Sequence, residues 1–219
     1  MARLACFILC ALSLLATPVR AQPTLAEVQD AYNALDGLQA SFTQVISSDF
    51  AGDTTQVKGS VLLSGNKYRV ETPDQIVTTN GTTTWIYTPT DSQVVLNDAD
   101  RGESTVTPET FLTASADQYA VQSSSTTSRL GTSHWTLHLE ATRSSSRFRE
   151  ATLWVRQSDR LVTRMRATDR NGSTLDLRLT DISLNPDVLR ENNPFSFSPP
   201  PNVEVIDLRR GQQPAGPDA

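Results

Sequence analysis

Lysine is nearly missing from this chain. Only Lys58 and Lys67 occur, and the other cations are arginines thinly spread among acids, 19 Lys plus Arg against 24 Asp plus Glu, for a formal net charge of -5. An electrostatic grip on nucleic acid needs clustered cations facing phosphates, so a nucleic-acid binder is excluded. Cysteine is as scarce, with Cys6 and Cys10 both close to the N-terminus. Aromatics make up only 6% of the chain, glycine and proline are unexceptional and the mean hydropathy is -0.33, which together exclude both a membrane bundle and a low-complexity chain. What remains is 219 residues, enough for one domain with a real core or two small ones.

The first stretch reads as an address and not as part of the fold. Arg3 precedes an apolar run from Leu4 to Ala16, and Val19-Arg20-Ala21 offers small residues where a signal peptidase reads. The run is too brief for a permanent span. Residues 1–21 are therefore expected to leave as a secretory signal, taking both cysteines with them. Lipidation at Cys10 is disfavoured by the bulky Leu9 before it. Residues 22–210 are expected to form a single cysteine-free exported domain, stabilised by burial alone, with 211–219 a flexible tail.

One helix comes first. Thr24 is a good N-cap with Glu27 three residues on, a capping box, and Leu25, Val28, Tyr32 and Leu35 then share a face until Gly37 stops it. Past that point the period changes to two. Leu38, Ala40, Phe42, Gln44 and Ile46 alternate with polar neighbours, as do Val57, Gly59, Val61 and Leu63, and later Trp135, Leu137 and Leu139, then Ala151, Leu153 and Val155. Asn80-Gly81 and Asn171-Gly172 mark hairpins of the two-residue kind. Thr107-Pro108 should start a second short helix through Phe111 and Leu112, and Ser123 to Ser128 reads as a polar loop. The pattern predicts a mainly β fold with short α elements. The expected architecture is one strongly curved antiparallel sheet or open barrel of about ten or eleven strands, with helices packed against its concave side.

Motifs for chemistry are few. Ser64-Gly65-Asn66-Lys67 matches S-x-x-K, but its partner motifs are missing and turn formers occupy its centre. His134 and His138 lie on a predicted strand, where four residues span roughly 13 Å, too far for one metal ion. Their alternation with Trp135, Leu137 and Leu139 puts both on the wet face. Asp98, Asp100 and Glu103 have two ligands at calcium spacing without the bidentate glutamate, and read as an acidic loop. No catalytic residue, metal site or cofactor site is expected.

Taken in order, the pieces resemble the periplasmic outer-membrane lipoprotein carrier family, LolA-type. The first helix runs into Leu38-Gln39-Ala40-Ser41-Phe42-Thr43-Gln44, similar to the family's A-x-F-x-Q strand. Gly59-Ser60-Val61-Leu62-Leu63 and Tyr68-Arg69-Val70 follow. The run from Pro73 to Pro89, with Ile76-Val77, Asn80-Gly81 and Trp85-Ile86-Tyr87, is similar to the family's P-x-x-x-x-I-V through D-G-x-x-x-W-x-Y-x-P. Thr107-Pro108 and the close from Asn193-Pro194-Phe195 to Ile206 also fit. One departure stands out: Ser64-Gly65 occupies the place of the family's Arg-Pro pair, whose arginine is thought to latch the lid.

The resemblance implies an unclosed, strongly curved antiparallel β-barrel covered by short helices, and a monomeric, non-enzymatic periplasmic carrier that shields lipoprotein acyl chains in its apolar cavity. It would accept cargo from an inner-membrane ABC-type release complex and deliver it to an outer-membrane lipoprotein receptor, without cofactor or covalent step. The cavity residues implied are Leu25, Val28, Tyr32 and Leu35 from the first helix, Phe42, Val61, Leu63, Trp85 and Tyr87 from the sheet, and Phe111 and Leu112 from the second helix. Two rivals stay open: a carrier or sensor of another lipid or glycolipid on the same fold, and an exported hydrolase using converging carboxylates.

Overall fold

The computed structural model describes residues 22–48, 52–99, 118–129, 131–191 and 193–210. Helix α1 covers Leu25–Asn33. Its capping box is present: the Glu27 N–H donates to Thr24 Oγ1 (3.2 Å), and the Thr24 N–H donates to Glu27 Oε2 (2.8 Å). That backbone bond, with the Thr24 side chain, holds the Glu27 carboxyl below its ordinary pKa. Leu25, Val28 and Tyr32 are its buried residues. The helix stops at Asn33, so Leu35 lies beyond its end, although it still packs against the core.

The rest is one twelve-stranded sheet. Its strands are β1 Leu38–Ser47, β2 Thr54–Ser64, β3 Lys67–Glu71, β4 Ile76–Thr79, β5 Thr83–Thr88, β6 Gln93–Asp98, β7 Tyr119–Arg129, β8 Thr132–Ala141, β9 Phe148–Arg156, β10 Val162–Asp169, β11 Thr174–Leu184 and β12 Glu204–Asp207. The spatial order is β12-β6-β5-β4-β3-β2-β1-β11-β10-β9-β8-β7, strongly curved and not closed into a barrel. All pairs are antiparallel except β12 with β6, which is parallel.

Alternation sends one set of side chains inward. Leu38, Ala40 and Phe42 face Leu63, Val61 and Gly59 across β1 and β2, and Val61 in turn faces Val70. On the other flank Phe42 faces Leu179, Gln44 faces Leu177 and Ile46 faces Leu175. The rows continue through Met165 and Leu153 to Leu137, and through Ala167 and Ala151 to Leu139. These apolar side chains, apart from partly exposed Ile46, form one core cluster with Leu25, Val28 and Tyr32, so α1 lies on the inner face.

Two local expectations are corrected. Ser123 to Ser128 is no loop but the middle of β7, an exposed edge strand paired throughout with β8; its serines and threonines satisfy the ladder with backbone groups alone. The Asn-Gly hairpins are longer than two residues, because Thr79 pairs with Thr84 and Thr168 with Thr174. Gly81 and Gly172 take positive φ but Asn80 and Asn171 do not, as a type I′ turn would require. Side chains shape these turns instead. Asn80 Oδ1 accepts from the N–H groups of Thr82 and Thr83, and Asp169 Oδ1 accepts from those of Asn171 and Ser173. Short 3-10 turns also form at Pro89–Asp91 and Asp187–Arg190. The expected second helix with Phe111 and Leu112, the signal and the tail lie outside the described residues.

Candidate functional site

The inner face is where the expected residues converge. Leu25, Val28, Tyr32, Phe42, Val61 and Leu63 belong to one buried cluster, with Leu35 packed against it. Tyr32 fixes the helix to the sheet: its hydroxyl donates to the Val162 carbonyl (3.4 Å) and accepts from the Val162 N–H (3.2 Å). The pairing of β10 with β9 shifts register between Val162 and Arg164, so the tyrosine serves backbone groups where the ladder is irregular. Tyr119 repeats the device, donating to the Phe148 carbonyl (3.0 Å) and accepting from the Phe148 N–H (3.1 Å). Burial pushes the pKa of Tyr119 above the ordinary phenol value, and that of Tyr68 likewise.

Trp85 and Tyr87 do not join this face. Val61 faces Val70, Val70 faces Val77, and Val77 faces Ile86, so Ile86 is the inward neighbour. Trp85 instead aligns with Thr78, Arg69 and Leu62 on the opposite face, and Tyr87 aligns with Ile76 and Val94. There the C-terminal segment meets Tyr87: the Phe197 ring lies 5.4 Å from its ring. Alternation within their own strand does not reveal which side Trp85 and Tyr87 take relative to Val61, three turns away. Leu137, Leu153, Met165 and Leu177, not among the expected cavity residues, lie on the far half of the inner face with the same alternation as Val61 and Leu63.

The other motifs resolve into structure. Ser64 and Lys67 are cross-strand partners around a tight turn with Gly65 at positive φ, and the Ser64 hydroxyl donates to the Asp36 carbonyl (2.7 Å). Arg69 pairs with Glu71. His138 lies exposed beside Thr152 Oγ1 (3.1 Å), but His134, expected in water, is buried, with Nδ1 3.1 Å from the Thr132 carbonyl. Asp98 accepts from the Arg210 backbone N–H (3.1 Å), while Asp100 and Glu103 lie outside the described residues. No group of three or more His, Cys, Asp or Glu among the described residues could hold a metal ion.

Charge stays off the inner face. Among the described residues the buried polar side chains are threonines, Ser146 and His134, with no carboxylate. On the outer face Arg164 and Arg178 share Asp176, and the Arg164 guanidinium stands 4.4 Å over the Trp154 ring. Burial alone would raise the Asp176 pKa, but hydrogen bonds from Arg164 and Arg178 outweigh it and hold the carboxyl below its ordinary value. The shifted carboxylates among the described residues, Glu27, Asp176 and Asp207, are all lowered. A general acid would need the reverse. No helix among the described residues is long and apolar enough to cross a membrane.

A strongly curved open sheet with a helix laid along its apolar inner face defines the class, a helix-covered half-barrel. The profile of the family described as outer membrane lipoprotein carrier protein LolA matches residues 33–198, and the chain belongs to that family. A protein of Aliivibrio salmonicida described as an outer-membrane lipoprotein carrier protein is 35% identical over 122 residues, 52% of this chain and 61% of the relative. The chain thus matches less than two thirds of that relative's length. The crystal structure of an uncharacterized conserved protein from Thermus thermophilus shares the fold, with TM-score 0.52 and 14% identity over 83% of this chain and 98% of that one. A LolA superfamily protein from Nitrosomonas europaea aligns at TM-score 0.41 and 16% identity, over 78% of this chain and 99% of that one.

Proposed function

We propose that this protein is a periplasmic carrier that shelters the acyl chains of lipoproteins against the inner face of its curved sheet. Cargo would come from an inner-membrane ABC-type release complex and pass to an outer-membrane receptor. The observation that carries the reading is the continuous apolar inner face, free of buried carboxylates among the described residues, in a member of this family. Each methylene withdrawn from water contributes about 0.8 kcal/mol, so a single sixteen-carbon chain represents roughly 12 kcal/mol of exposure. An acylated protein does not cross an aqueous gap unaided at a useful rate. An apolar face under a displaceable helix meets that need with no covalent step.

The test is release from spheroplasts. Protein lacking residues 1–21, added to spheroplasts synthesising a labelled outer-membrane lipoprotein, should yield a soluble one-to-one complex. A photoreactive residue at Leu35 should cross-link the acyl chains, and one at Trp85, on the opposite face, should not. No soluble complex, or equal cross-linking from both faces, would overturn the reading.

A further inference from the structure

The inner face opens at one end into a cleft of about 450 Å³ between the turn before β9 and the turn joining β10 to β11. Its floor is apolar: Phe148 and Leu175 are buried, and Ile46, the cross-strand partner of Leu175, is left 40% exposed. Its rim is cationic. Arg147 and Arg170 are exposed, the Arg147 guanidinium lies 5.4 Å over the Phe148 ring, and the Arg170 Nη2 donates to the Arg143 carbonyl (2.8 Å). Asp169 is the acid of the lining, and its Oδ1 is engaged by the two backbone N–H groups of its own turn.

Two guanidiniums above an apolar floor, in a chain of net negative charge, are complementary to a molecule with an anionic head and an apolar tail. We propose that this cleft binds the head and first methylenes of an anionic amphiphile, with Arg147 and Arg170 on its carboxylate or phosphate and Ile46, Phe148 and Leu175 against its chain. The inference rests on the acyl-chain reading of the inner face and adds to it a preference for charge.

Titration of the purified protein with two ligand pairs tests it: palmitate against hexadecanol, and lysophosphatidylglycerol against monopalmitoylglycerol. The anionic member of at least one pair should bind about tenfold tighter, the scale of a charge-assisted hydrogen bond; which pair responds identifies carboxylate or phosphate as the head. The preference should vanish in R147Q/R170Q and persist in R147K/R170K, with unchanged thermal melts certifying the fold. Equal binding within both pairs would overturn this inference and leave acyl-chain binding intact. Displacement of palmitate by inorganic phosphate at comparable concentration would also overturn it, as an anion site that ignores the chain. No binding of any amphiphile would overturn both readings.

Discussion

The Tyr32 hydroxyl bonds both backbone groups of Val162, and so ties the only α-helix of the described residues to the strand beneath it. Helix α1 has nine residues, too few to hold together in water without its contacts. Among the described residues, its buried Leu25, Val28 and Tyr32 and this pair of bonds hold it to the inner face. Tyr32→Phe should lower stability by about 1–3 kcal/mol, the range for leaving buried backbone groups unpaired. Amide exchange at Val162 should quicken more than at Leu153, which separates local release of the helix from general loosening.

Gly59 has no room for a side chain. A Cβ there would fall 2.1 Å from the Glu71 carbonyl oxygen and 2.9 Å from the Phe42 ring. Gly59→Ala should cost about 1–3 kcal/mol in urea unfolding. Because the tighter overlap is with backbone, Phe42→Leu should not rescue it. Full recovery in the double variant would assign the whole cost to the ring.

Asp176 links β11 to β10 through Arg164, with both side chains about one-fifth exposed. Its folded pKa is lowered, so its contribution is complete above the unfolded value, ordinarily near 3.9, and disappears as pH falls through the folded value. Asp176→Asn should be less stable by about 1–2 kcal/mol at pH 7. Urea midpoints of variant and wild type should converge as pH drops below about 4. A constant gap down to pH 2 would show that the loss is not electrostatic.

Asn80 carries its hairpin by a side-chain oxygen that accepts three hydrogen bonds, two from backbone N–H groups and one from the Thr82 hydroxyl. Asn80→Ala should cost about 1 kcal/mol, while Asn80→Asp, which keeps the acceptor, should cost less. Exchange of the Thr79 and Thr84 amides at the hairpin end would register the difference.

The sheet was legible in the sequence because alternation and burial are the same fact here: Leu38, Ala40 and Phe42, or Trp135, Leu137 and Leu139, each read as one buried row and are one. Helix α1 was legible from Thr24 and Glu27, since a capping box is local chemistry. Strand β7 was not, because an exposed edge has no buried face to imprint a period on Ser123 to Ser128. The placement of the candidate residues on one face was half legible for a related reason. Alternation says which residues within a strand share a side, but the relation between strands depends on the length of each turn. Trp85 and Tyr87 lie three turns beyond Val61, and the register that puts Ile86 inward instead emerges only when all three are counted. His134 was misplaced because the outer face, too, has covered ground.

Strands β12 and β7 end the sheet without pairing to each other. In a closed barrel, strand number and stagger fix the radius, and widening the interior means breaking ladder bonds. A sheet with a seam has no such fixed circumference. Under the carrier role proposed above, bending between strands would let the girth change with the backbone pairs kept, and guests of different cross-section would enter and leave by the same small, distributed movement.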